Sequence, residues 1–147
     1  MANIKIFGVD QTTNQARTIT TGDVVILPKS ISLAAFGPTT DIATGDGAAY
    51  MVIPDILNGF NLTRAQAVVI TAGTTNATTV QVHNLTQAAD MLTGLISIAS
   101  AATAGTPGTI DLASDNVTTD DILRIDVDTV STTAPKGLIV ILTFDGA

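Results

Sequence analysis

Few residues in this chain could carry chemistry, and the spacing of those few is uninformative for catalysis. His83 is the only histidine, so a Ser-His-Asp triad would have to pass through it. No Gly-x-Ser-x-Gly elbow is present, and no serine sits at a recognisable strand-to-helix turn. The stretch around His83 alternates, with Val80 and Val82 directed inward and Thr79, Gln81 and His83 outward. His83 therefore reads as a solvated or interface residue rather than a base. Cysteine is absent, which removes thiolate nucleophiles, disulfides and Cys-zinc sites. The aspartates raise the question of calcium. Asp41, Asp46 and Gly47 fall in one loop, and Asp115, Asn116, Asp120 and Asp121 in another. A hard cation needs several oxygens converging from such loops, but neither has EF-hand or glycine-aspartate-repeat spacing. Aspartate in a Gly-rich turn is ordinarily there for the turn. Carboxylates paired for sugar hydrolysis are compatible with the composition. Aromatic platforms for sugar are scarce, however: there is no tryptophan, one tyrosine and four phenylalanines. The expectation is a chain that is not an enzyme, with no catalytic residue, no cofactor and no metal.

The elements that must position these residues are strands. Arg124 and Asp126 face one way while Leu123, Ile125 and Val127 face the other, the clearest two-residue beat in the sequence. All 13 acidic residues are aspartate, and threonine is about one residue in six. Lack of glutamate disfavours helix, whereas β-branched threonine suits a pleated surface. Strands are expected over residues 48–53, 63–72, 78–85, 95–100, around Ile110, and over 121–129 and 137–144. Gly73 to Asn76, the small residues 101–108, Ser114 to Asn116, and Thr132 to Lys136 are expected as turns or loops. This spacing predicts an all-β, antiparallel sandwich of jelly-roll type for residues 48–147. Residues 1–47 read as an arm of short strands, over 3–9, 17–21 and 23–27, broken by Pro28, Gly37-Pro38 and the Gly45-Asp46-Gly47 cluster.

The last strand is apolar on both faces. Leu138, Val140, Leu142 and Phe144 make one face; Ile139 and Ile141 occupy the other. A strand dry on both sides must be covered on both. Ile139 and Ile141 are therefore the candidate interface residues, to be covered by the arm, by a neighbouring subunit, or by an arm exchanged between subunits.

The formal charge is −7, with six scattered basic residues. Phosphate binding needs clustered Lys and Arg, so nucleic acid is not expected as a partner, nor is an anionic membrane surface. The most apolar run, Leu138 to Leu142, is far shorter than the roughly 20 residues of a membrane-crossing helix. Gly8, Asp10 and Gln11 interrupt any apolar leader near the N-terminus, so synthesis and assembly in a cytoplasm are expected.

Several segments carry a resemblance: Ala-Ala-Tyr-Met-Val-Ile-Pro (48–54), Leu-Asn-Gly-Phe-Asn-Leu (57–62), Thr-Val-Gln-Val-His-Asn-Leu-Thr (79–86), Asp-Met-Leu (90–92), Ile-Asp-Val-Asp (125–128) and Ala-Pro-Lys-Gly-Leu (134–138). With these, about two-thirds of the chain resembles β-sandwich structural proteins of tailed-bacteriophage virions, of the capsid cement or decoration type. The resemblance implies a structural protein on the outer capsid surface, assembled in the host bacterial cytoplasm. Its implied partners are the major capsid protein and further copies of itself as a homotrimer. The alternative it implies is a head- or tail-fibre module recognising host-surface glycan. Residues 1–47 lie outside the resemblance.

Overall fold

The computed structural model describes residues 7–10, 15–18 and 27–146. Twelve strands and one short 3-10 turn account for the regular structure among them. Strands β1 (Phe7–Asp10) and β2 (Gln15–Thr18) form an antiparallel hairpin. The strand expected over 23–27 lies, except for Leu27, outside the described residues.

The body is a sandwich of antiparallel sheets. One sheet has the order β3-β12-β5, built from β3 (Lys29–Ala34), β5 (Phe60–Thr71) and β12 (Lys136–Gly146). The facing sheet has the order β4-β11-β6, from β4 (Gly45–Val52), β6 (Thr78–Asn84) and β11 (Ile122–Thr129). It is extended beyond β6 by the short strands β7 (Ala89–Asp90) and β9 (Ile96–Ile98). Strands β8 (Leu92–Gly94) and β10 (Thr109–Ile110) pair with each other at its margin.

The chain alternates between the sheets from β3 to β6. Its last two long strands then insert between earlier neighbours, β11 between β4 and β6, and β12 between β3 and β5. That wrapped order is the jelly roll, and it sets the two final long strands in the middle of their sheets, each flanked on both edges and buried on its inner face. Leu62, Ala65, Ala67 and Val69 of β5 meet Leu138, Val140, Leu142 and Phe144 of β12, and they face Val80, Val82, Leu123, Ile125 and Val127 across the core.

Two points differ from the sequence reading. Residues 29–34 are a full sheet strand, with Ile31 and Leu33 packed against the core, and Ile42 is only 2% exposed. The sandwich thus takes in residues assigned to the arm. Proline and glycine punctuation on both sides masked the Ile31/Leu33 alternation, which is only one period long. The second difference is the outward face of the β4-β11-β6 sheet, which is not simply wet: Gln81 and Asp126 are buried there.

The two flanks of the sandwich are unlike. On one, residues 103–108 run between the sheets and bond to both. Val69 N–H donates to Thr103 O, Gly105 N–H to Ala67 O and Gly108 N–H to Ala65 O, while Thr106 and Ser97 exchange two backbone hydrogen bonds. Gly105 permits this approach, because a Cβ there would lie 2.9 Å from Ile98 Cγ1 and 3.2 Å from Ala67 O. On the other flank, β3 and β4 end their sheets with no further described strand paired to them.

Candidate functional site

The functional side chains lie on the two outward sheet faces. On the β4-β11-β6 face, strand register aligns Tyr50, Arg124, His83 and Asp90 in one row across four strands. His83 Nδ1 lies 2.7 Å from Asp90 Oδ1. This is its one side-chain hydrogen bond among the described residues, and no hydroxyl group completes a triad. His83 sits half-buried where the alternation placed it.

The next row holds Asp126, which is 5% exposed. Its Oδ2 accepts from Arg124 Nη2 at 2.8 Å, and its Oδ1 accepts from the Gly47 N–H at 2.9 Å. Arg124 Nε is 2.7 Å from Asp126 Oδ1 but is not aligned as a hydrogen bond. Arg124 Nη2 is also 3.2 Å from Asp46 Oδ2. Hydrogen bonding to Asp126 raises the guanidinium pKa; burial opposes this, and the charges of Asp126 and Asp46 reinforce it. Gly47 has a φ of +82°, a backbone state that L side chains rarely adopt, which points its N–H at the carboxylate. Arg124 and Asp126 share the outward face, as the alternation predicts, and there they form a partly buried clamp tying β11 to the irregular start of β4. Two-residue spacing placed both on one face; only the fold showed that Gly47 and Asp46 close over them.

Beyond the row of Tyr50, the same face becomes apolar. Val52 is opposite Ile122, and Leu85 N–H donates to Ile122 O, so three apolar side chains cross β4, β11 and the end of β6. All three are exposed, as is Ile56 in the turn Asp55–Leu57. Tyr50 is 58% exposed beside them. Apart from Tyr50, Val52 and Leu85, quoted only within longer segments, the sequence reading singled out none of these residues. Single apolar residues next to polar ones carry no periodic signal.

On the β3-β12-β5 face, Ile139 and Ile141 are half-buried. Register sets Ile139 between Ala34 and Val68, and Ile141 between Ser32 and Gln66. Ile70, 52% exposed, ends the stripe above Gly137. The part of the arm that is described as sandwich, β3, flanks Ile139 and Ile141 within the sheet; no described strand stacks over them.

The two aspartate loops do not converge on an ion. Asp41 is 3.2 Å from Lys136 Nζ and Asp46 is held by Arg124. Asp121 Oδ2 accepts from Asn84 Nδ2 (3.0 Å), Gln87 Nε2 (2.7 Å) and Thr118 N–H (3.0 Å). Among the described residues, no group of three or more His, Cys, Asp or Glu side chains is arranged to hold a metal ion. No helix of the described chain is long and apolar enough to cross a membrane. Comparison with family models, curated proteins and solved structures gave no match to this chain.

Proposed function

We propose that the chain is a structural virion protein of the cement or decoration type, seated on the outer surface of a phage head, where it binds the major capsid protein and stabilises the shell. The observation that carries this reading is the presence of exposed apolar side chains on both outward sheet faces. Val52, Ile56, Leu85 and Ile122 lie on or beside one, and Ile70 with half-buried Ile139 and Ile141 on the other. A domain wedged between neighbours needs contact surface on more than one side, and apolar patches mark association. The −7 charge suits a face turned to solvent rather than to packaged DNA. The resembling segments supply much of β4, β6 and β11, the strands that build the first of these faces. The test is to add the purified chain to undecorated heads of the encoding phage. Binding with a rise in their thermal and chelator resistance is expected, and failure to bind would sink the reading.

One observation favours a second reading, a fibre module that binds host-surface glycan. Tyr50 is exposed beside Arg124 and Asp46, an aromatic surface next to charged hydrogen-bonding groups, and jelly rolls include lectin domains. A glycan array together with a cell-binding assay separates the two: cement binds heads and not cells.

A further inference from the structure

Sheet edges expose unpaired backbone groups and are ordinarily guarded by short strands, charges, prolines, bulges or covering loops. In this sandwich, three of the four flanking edges are guarded. The outer edge of β5 is capped by residues 103–108. The edge beyond β6 ends in strands of two and three residues. The outer edge of β4 carries Asp46, two glycines at positive φ and a register shift opposite Ile125 and Val127.

Among the described residues, the outer edge of β3 has no proline, bulge or covering segment, and its one charge, Lys29, stands at the first position of the strand. Its sequence, Lys-Ser-Ile-Ser-Leu-Ala, contains no proline and no aspartate, and its pairing with β12 is regular throughout. Ala35 N–H donates to Leu138 O, which fixes the phase of the ladder. By antiparallel alternation, the backbone groups of Ile31 and Leu33 bond to β12, and those of Ser30, Ser32 and Ala34 point to the open side.

We infer that this edge is a docking strand for β3 of a second copy, paired antiparallel about a two-fold axis at Ser32. The occupant follows from the strand's own pattern. Centring on Ser32 sets Ser30 against Ala34 of the second copy and Ile31 against its Leu33. The outward side chains are small, so none obstructs the approach. The inward ones at the centre, Ile31 and Leu33, are apolar and half-buried in a single chain, and each would be covered further. Charge selects the same site. The molecule carries −7, so two copies repel, yet residues 29–40 hold a lysine and no acid. Lys29 would fall opposite Ala35 of the second copy, not opposite another Lys29. The joined sheets would set the two Ile139/Ile141 stripes about 14 Å apart across the axis, forming one continuous surface. This contact is two-fold, unlike the three-fold assembly implied by the resemblance, and it does not depend on the capsid reading.

The test uses the full chain in sedimentation and amide-exchange experiments over a wide concentration range. A dimer that forms with concentration is expected, with the amides of Ser30, Ser32 and Ala34 slowing only as it forms. Ser32→Pro removes an edge donor without touching the β12 ladder, and it should weaken dimerisation by more than about tenfold. Should that variant fail to fold, the charge variants decide. Ser32→Lys and Ser32→Asp each place like charges on the axis and should each weaken self-association about fivefold, whereas mixing the two should restore it. A monomer at all concentrations, a trimer, a dimer indifferent to these variants, or edge amides already protected in the monomer would overturn the inference.

Discussion

Asp121 and Asp128 belong to the same stretch of chain, and their surroundings push their carboxyls in opposite directions. Burial raises the pKa of Asp121, but hydrogen bonds from the Thr118 backbone, Asn84, Gln87 and the Thr118 side chain together bring it below the ordinary value. A depressed folded-state pKa means that the unfolded chain takes up the proton first. The stability from Asp121 is therefore complete above about pH 4, the ordinary Asp value, and is lost as pH falls through the lower folded-state value. Asp121→Asn should cost about 1–3 kcal/mol at neutral pH by leaving buried donors poorly matched, and should flatten the acid limb of a stability-pH curve. Asp128 is exposed on the strand, yet partial desolvation of its carboxyl, and then the charges of Asp126, Asp90 and Asp46, raise its pKa. Its carboxylate opposes folding above its folded-state pKa, so Asp128→Asn should raise the melting temperature at pH 7 and lose that advantage in acid. Between them, Val127 is 2% exposed in the core. Val127→Asp would bury an unpaired carboxylate at a cost of several kcal/mol, roughly the whole stability of a small domain; circular dichroism should show no cooperative melt. The inward direction of Val127 was readable from alternation alone. The opposite fates of Asp121 and Asp128 were not, because they depend on partners as distant as Asn84, Gln87, Asp46 and Asp90.

At the level of elements, long strands with strict alternation announced themselves and short ones did not. The core strands β5, β11 and β12 fall close to the expected spans because each has three or more inward apolar residues in phase, and β6 does so with two, Val80 and Val82, in an alternating run unbroken by proline or glycine. Strand β3 offers only Ile31 and Leu33, and its membership of the sandwich comes from pairing with β12, more than a hundred residues away, as the 113-residue separation of the Ser30–Thr143 hydrogen bond illustrates (2.8 Å). Residues 101–108, read as a loop of small residues, are a loop by shape but bond to both sheets. Their small side chains are the condition for that position, since backbone must pass within contact distance of Ala67 and Ile98. Gly105→Ala tests this. The added Cβ would overpack the flank at a cost of about 1–3 kcal/mol. Amide exchange at Gly105 and Thr106 should quicken, while exchange within β11 changes only as global stability does. Equal quickening everywhere would mean that the flank is not a separate unit of stability.

For the whole molecule, the question is how the work divides between the sandwich and the residues before it. Every described core residue lies between Ile31 and Phe144. The hairpin of β1 and β2 is described only through its own pairing, Phe7 opposite Thr18 and Asp10 opposite Gln15. The enclosed apolar volume is thus supplied by β3 to β12 and their loops, and burial of apolar surface is the dominant favourable term in folding. Removing residues 1–20 takes away none of that described core. The truncated chain should keep a cooperative melt within a few degrees of the full chain, because a loss of 1 kcal/mol moves the midpoint of a domain this size by only about 3–6 °C. If the proposed capsid role holds, the same truncation should weaken binding to undecorated heads, since an extended leader adds contacts at little cost to the fold. The two readouts separate the possibilities. Unfolding on truncation would place the leader in the core, and full capsid affinity would remove it from the interface. The expected pair, an intact melt with reduced affinity, assigns folding to the jelly roll and grip to its leader.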